Sequence, residues 1–149
     1  MSSPFPPPPP CRTKPHTPPT PALDGLLCDA QLSAVRATVL DDNPGMEPEL
    51  AARIVTEAIK FIATAARGAD TMTPSRLVDK GWHALILHTS LYSQLCAHLG
   101  GFVDHYPTPQ AAEGDLDALD WTIQSIERAG FSVDRHLWAE PTPALAGDR

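Results

Sequence analysis

The chain has 149 residues, a formal net charge of −7, seventeen prolines and three cysteines. This length allows one domain, and the excess of acid argues against non-specific nucleic-acid binding, which needs clustered cations. No stretch approaches the roughly twenty apolar residues of a membrane span, and three cysteines do not make a disulfide framework. We therefore expect a cytoplasmic protein without nucleic-acid or membrane partners.

The first 22 residues differ in composition from the remainder of the chain. Ten of the seventeen prolines lie in residues 1–22, including the run from Pro6 to Pro10. Proline lacks the backbone donor, so such a run does not close a helix or a sheet ladder. We predict a disordered arm over residues 1–22, acting as a spacer or as a ligand for a proline-binding domain. A helical domain over residues 23–140 and a flexible tail over residues 141–149 complete the predicted organisation.

Two helices are predicted in the first half of the helical domain. Apolar residues recur at helical spacing from Asp29 to Leu40, and Pro44-Gly45 then breaks the chain. The next helix is expected to begin around Pro48, because proline suits a first turn, and to end at Gly68. Its apolar face consists of Leu50, Ile54, Ala58, Ile62 and Ala65, widened by Val55, Ile59 and Phe61.

The second half predicts further helices. Thr73-Pro74 predicts the start of a third helix, with Thr73 as its cap, and Thr89 predicts the cap of a fourth that ends at Gly100-Gly101. A later helix stops at Gly130, followed by a short turn over residues 134–139. There is no convincing strand run, so the sequence indicates an all-α bundle of four to six helices.

Side chains able to bind a metal or move a proton are concentrated in residues 77–107. Asp79 and His83 are four residues apart, which places them on one helix face within side-chain reach. A carboxylate that holds one imidazole nitrogen fixes the tautomer and leaves the other nitrogen available as a base or a metal ligand. Asp79 and His83 are therefore the candidate catalytic residues.

Cys96 and His105 join this site only if the chain reverses direction. On one continuous helix, Cys96 would point about 220° away from His83 at 100° per residue. A turn between His88 and Ser90 would remove that conflict, and His105 follows the Gly100-Gly101 turn. Together, Asp79, His83, Cys96 and His105 would offer oxygen, nitrogen and sulfur donors suited to a divalent metal, zinc or iron.

The same segment resembles a known family. Its pattern is Val78-Asp79-x-x-Trp82-His83-x-x-Ile86-Leu87, then Thr89, Tyr92, Cys96, Gly100-Gly101-Phe102 and His105-x-Pro107. This pattern is similar to the conserved segment of bacterial small proteins related to the glycine-rich domain-containing proteins of plants. The resemblance implies a shared polar site at Asp79, His83, Cys96 and His105, although Leu85 and Asp104 stand where members often carry further histidines. The glycine-rich region of the plant proteins is missing, so no RNA-related role is carried over.

Two classes of function remain open from the sequence. The first is a small helical domain that binds a metal through His83, Cys96, His105 and Asp79, with a catalytic role for the site. The second is a non-enzymatic interaction module, in which hydrogen bonds among the same residues lock a helical hairpin. The partner would be a small molecule in the first case and a protein in the second.

Overall fold

The computed structural model describes residues 23, 25–68, 72–105 and 116–139, and within these ranges every regular element is a helix. The helices are α1 (Asp29–Asp42), α2 (Pro48–Ala66), α3 (Arg76–Leu87), α4 (Thr89–Leu99), α5 (Leu116–Arg128) and α6 (Arg135–Trp138). The predicted all-α class with four to six helices is confirmed for this part of the chain. The predicted arm, residues 1–22, and tail, residues 141–149, lie outside the described residues.

Helix α2 is the centre of the bundle, because it contacts α1, α3, α4 and α5. Its buried positions surround most of its circumference, as expected for a helix enclosed by neighbours rather than one lying on a surface. Ile54, Val55, Ala58 and Ile62 are fully buried, and Phe61 packs on Trp82 with a ring-centroid distance of 4.8 Å. None of the described helices combines the length and apolar character needed to cross a membrane.

Helices α2 and α3 approach each other most closely at Gly81. A Cβ atom added to Gly81 would lie 2.9 Å from the Ala58 Cβ, the Ile54 Cγ2 and the Ile54 carbonyl oxygen. Real Cβ contacts are longer, and the carbonyl oxygen belongs to a backbone that does not yield easily. The missing side chain of Gly81 therefore sets the spacing of the two helices.

Most predicted helix ends agree with the structure, with one correction. Pro48 is the first residue of α2, Gly68 follows its last turn with φ 94°, and Gly100 closes α4 in the left-handed region. The predicted start of α3 at Thr73-Pro74 is wrong by two residues. Ser75 is the N-cap, because its hydroxyl accepts a hydrogen bond from the Val78 amide.

The Thr73 amide instead donates to the Thr122 hydroxyl of α5 at 2.8 Å. The segment before α3 is therefore fixed by a tertiary contact to another helix. The local sequence predicts a helix cap at Thr73 because it carries no sign of this contact with a distant residue.

Glu57 is a buried carboxylate on α2, and it anchors the C-terminal end of the domain. Its Oε1 accepts from the Trp138 indole at 3.0 Å and from the Asp134 amide at 3.2 Å. Its Oε2 accepts from the Lys60 ammonium at 2.7 Å, and Lys60 also donates to the Ser132 carbonyl. These bonds hold α6 and the preceding turn against α2.

Replacing Gly81 with Ala should lower the free energy of unfolding by about 1–3 kcal/mol, the usual cost of overpacking. Helix propensity alone would favour Ala by roughly 0.5–1 kcal/mol, so a net loss would identify the close approach as the dominant effect. Urea unfolding followed by circular dichroism measures this difference.

Gly101→Ala is the matched control for Gly81→Ala. A Cβ atom there would lie 3.9 Å from the Ala66 carbonyl oxygen, an ordinary contact distance. The stability of the Gly101→Ala protein should therefore differ little from that of the wild type. A Gly81→Ala protein as stable as the wild type would mean that α2 and α3 separate without cost, contrary to this account.

Glu57→Ala should destabilise the domain by about 3–5 kcal/mol, because the Lys60 charge, the buried Trp138 indole and the partly buried Asp134 amide all lose their acceptor. Glu127→Ala removes a comparable ion pair to Arg135 that is exposed to solvent, so we expect a change of about 0–1 kcal/mol there. Thermal unfolding of both variants compares the two losses of stability. Equal losses of stability would contradict the anchoring role of Glu57.

Candidate functional site at the Asp79–His105 pair

The chain reverses between α3 and α4, as the sequence predicted. Helix α3 ends at Leu87, and His88 has φ −91° and ψ 75°, outside the helical range. The N-cap of α4 is His88 rather than the predicted Thr89, which is the first helical residue. The His88 Nε2 lies 2.8 Å from the Thr38 hydroxyl of α1, so the break in the helix is held by a contact with a third element.

A second reversal after α4 brings residues 101–105 back towards α3. The amides of Gly100 and Gly101 both donate to the Cys96 carbonyl, at 3.0 and 3.1 Å. Gly100 has φ 109°, a conformation that glycine adopts without the steric cost of a side chain. The return path predicted for His105 is therefore present.

Asp79 and His105 form the polar pair at this junction. The His105 Nε2 lies 3.0 Å from the Asp79 Oδ1, and the two side chains are 21% and 45% exposed. Since a carboxylate accepts, Nε2 carries the hydrogen of this bond and Nδ1 is left as the acceptor nitrogen. The imidazole also packs edge-on against Trp82, with a centroid distance of 4.3 Å.

The carboxylate partner differs from the sequence-based expectation. Asp79 was predicted to hold His83, one helical turn away, yet its contact is with His105 from the returning loop. His83 is exposed, and its side chain makes no hydrogen bond or ion pair within the described residues. Helical spacing shows which side chains Asp79 can reach. It does not decide whether Asp79 binds a residue of its own helix or one that the tertiary fold brings close.

A buried chain of hydrogen bonds lies behind the Asp79–His105 pair. The Trp82 indole donates to the Tyr92 hydroxyl at 2.9 Å, and that hydroxyl donates to the Val103 carbonyl at 2.5 Å. This chain ties α3, α4 and the returning loop together. No spacing rule in the sequence would have paired Trp82 with Tyr92 across the helix break.

Cys96 lies beside Tyr92 in the interior, one helical turn further along α4. It is a free thiol, almost completely buried. Burial raises the pKa of Tyr92, and the neighbouring Cys96 acts in the same direction, whereas the hydrogen bond from Trp82 lowers it. Tyr92 is therefore a neutral hydrogen-bonding group near neutral pH.

The four predicted donors are thus distributed over different environments. Asp79 and His105 touch, His83 projects into solvent and Cys96 is enclosed. Within the described ranges, no three His, Cys, Asp or Glu side chains are close enough to share a metal ion. The arrangement as it stands offers a carboxylate-oriented imidazole, which can accept a proton or supply one nitrogen ligand.

The raised pKa of Tyr92 gives a pH dependence with a defined sign. An exposed tyrosine ionises near pH 10. The stability that neutral Tyr92 contributes is fully present below that pH and is lost as the pH rises towards the higher pKa of the folded state. Titration of tyrosinate absorbance should therefore show at most one of the two tyrosines ionising before the chain unfolds.

Tyr92→Phe is the control for this titration. It should remove the ionisation that accompanies unfolding, together with the part of the alkaline stability loss that belongs to Tyr92. Simultaneous ionisation of both tyrosines near pH 10 in the folded protein would contradict the burial and bonding described for this hydroxyl.

Comparison with known proteins gives one relationship. No curated protein and no solved structure matches the chain. The family model described as UCP032817-like matches residues 30–123, a range that runs from α1 into α5 and includes the whole polar cluster. Since this match spans more than half of the 149 residues, the chain belongs to the UCP032817-like family.

Proposed function

We propose that this protein is a small helical binding domain whose functional centre is the Asp79–His105 pair, and that the pair takes up a divalent metal, zinc or iron. The observation that carries the proposal is the 3.0 Å contact between the two side chains at a position still open to solvent. A carboxylate that receives one imidazole N–H is a common outer partner of metal-binding histidines, because it orients the ring and raises its basicity.

The proposed ligand set begins with the Nδ1 nitrogen of His105. His83 would supply a second nitrogen after a change of side-chain rotamer, since it is exposed and stands one turn after Asp79 on α3. Cys96 is almost completely buried, so it would become a ligand only after the interior opened, and it comes last among the predicted donors. A metal held by few protein ligands keeps water positions, which is the arrangement found in catalytic rather than structural zinc sites.

Catalysis is the further step of this proposal. With the Nδ1 of His105 on the metal and its Nε2–H donated to Asp79, this imidazole has no nitrogen left to accept a proton. The exposed His83 would therefore act from the same side, either as a second ligand or as the base that accepts a proton from a bound water or substrate. A reducing cytoplasm, which keeps Cys28 and Cys96 as thiols, is the compartment we propose.

Metal content and chelator response test the proposal. Protein purified without an affinity tag should carry a stoichiometric metal, and chelation should lower its melting temperature, because a ligand well above its dissociation constant adds a few kcal/mol of stability. His105→Gln and Asp79→Asn should each remove most of the chelator response. The double variant should add little to either one, since both changes act on one site.

His98→Gln is the matched control for these variants. His98 is an exposed histidine on α4 whose Nδ1 lies 2.9 Å from the Gln94 carbonyl, within its own helix. Its replacement should leave the metal content and the chelator response unchanged. A metal-free protein that is indifferent to both chelator and added zinc or iron would overturn the metal proposal.

The second candidate function is a non-enzymatic interaction module, and Phe102 is the observation that favours it. Phe102 is 62% exposed while its ring packs edge-on against Tyr92, and it stands three residues before His105, which contacts Asp79. In this case, the Asp79–His105 contact would serve to hold Phe102 in position for a protein partner. His105→Gln would then reduce stability by the same amount with and without chelator.

A further inference from the structure

A groove separate from the Asp79–His105 pair lies between the C-terminal ends of α2 and α5. Its volume is about 360 Å³, within the range typical of small-molecule sites. The side chains that matter for its chemistry are Thr64, Arg67, Trp121, Ser125 and Arg128. None of them takes part in the cluster described above.

The two arginines give the groove its charge. Arg128 lies over the Trp121 ring, with its guanidinium carbon 5.3 Å from the ring centroid, and Arg67 lies 5.9 Å from the centroid of Phe131. Their hydrogen bonds are long, 3.4 Å from Arg67 to the Ala129 carbonyl and 3.5 Å from Arg128 to Gln124. Each guanidinium has five N–H donors, so most of this capacity remains for a ligand.

No carboxylate lines the groove within the described part of the chain, although the protein as a whole is acidic. The ends of α2 and α5 do contribute negative potential, each equivalent to about half an elementary charge. Two guanidinium groups against two such helix ends leave roughly one positive charge. The groove therefore suits a monoanion better than a dianion.

The other residues that line the groove indicate which kind of molecule would carry the negative charge. Trp121 is 38% exposed and offers an aromatic surface beside the Arg128 guanidinium. The hydroxyls of Thr64 and Ser125 donate to carbonyls of their own helices, at 2.9 and 2.8 Å, so a bond from either hydroxyl to a ligand would use the oxygen as an acceptor. A flat ring that carries one carboxylate and one hydrogen-bond donor would match the positive charge, the aromatic surface and the hydroxyl acceptors.

We propose that this groove binds a small planar monoanion of the aromatic carboxylate class, with the carboxylate between Arg67 and Arg128 and the ring against Trp121. Planar guanidinium groups match a carboxylate with paired hydrogen bonds. This site is independent of the metal proposal, because it shares no side chain with the Asp79–His105 pair.

The test uses the full-length protein with 4-hydroxybenzoate as the probe and 4-hydroxybenzamide as its neutral counterpart. Isothermal titration should show binding of the anion that weakens as salt is added, and at least tenfold weaker binding of the amide. The indole N–H signal of Trp121, identified as the one of three tryptophan signals that is absent in Trp121→Phe, should shift on titration.

Arginine variants complete the test. Arg67→Gln and Arg128→Gln should each weaken 4-hydroxybenzoate binding at least tenfold, whereas Arg135→Gln should have no effect, since Arg135 pairs with Glu127 outside the groove. Equal binding of anion and amide, equal losses in all three variants, or no binding at millimolar probe would each overturn the proposal. The salt dependence in the unmodified protein decides the question even if a variant fails to fold.

Discussion

The contact between the backbones of α2 and α3 at Gly81 determines the geometry of the rest of the domain. Helices usually pack 8–10 Å apart, at a distance set by the side chains between them. At Gly81 there is no side chain, and Ile54 and Ala58 of α2 fill the space. The register of the two helices is fixed by this shape, because sliding α3 by one residue would place Lys80 or Trp82 against the Ile54 carbonyl.

Trp82 follows Gly81 directly, and its position organises the polar cluster. Its ring packs on Phe61 of α2, its indole N–H donates to the Tyr92 hydroxyl, and the His105 imidazole packs edge-on against it. The Trp82 indole N–H and the Tyr92 hydroxyl each have a hydrogen-bond partner, which is the condition under which an internal polar network adds specificity rather than cost. The more exposed Asp79–His105 pair meets this network through the ring contact between His105 and Trp82.

The local features of the fold could be predicted from the sequence, and the tertiary ones could not. Pro48, Gly68 and Gly100 act through their own backbone conformations, so the helix ends that they set were correctly expected. The reversal near His88 followed from the chemistry of the predicted site. Contacts between distant segments, such as Thr73 with Thr122, leave no periodic signal in the sequence.

The same difference between local and tertiary features holds for the candidate site. Spacing placed Asp79 and His83 on one face, but it could not reveal that His105 would occupy the carboxylate. Composition gave no indication that Arg67 and Arg128 would line one groove with Trp121, because the two arginines are 61 positions apart in the chain. Such juxtapositions depend on how the helices pack.

The bonds of Glu57 have a consequence for the way the domain opens. Helix α6 has four residues, far fewer than the roughly 12–15 that an isolated helix needs in water. Its order therefore depends on Glu57 and on the Ser75 hydroxyl, which donates to the Leu137 carbonyl. We therefore expect residues 131–138 to detach as one cooperative unit and to exchange their amide hydrogens with solvent together, while the α2–α3 pair stays protected.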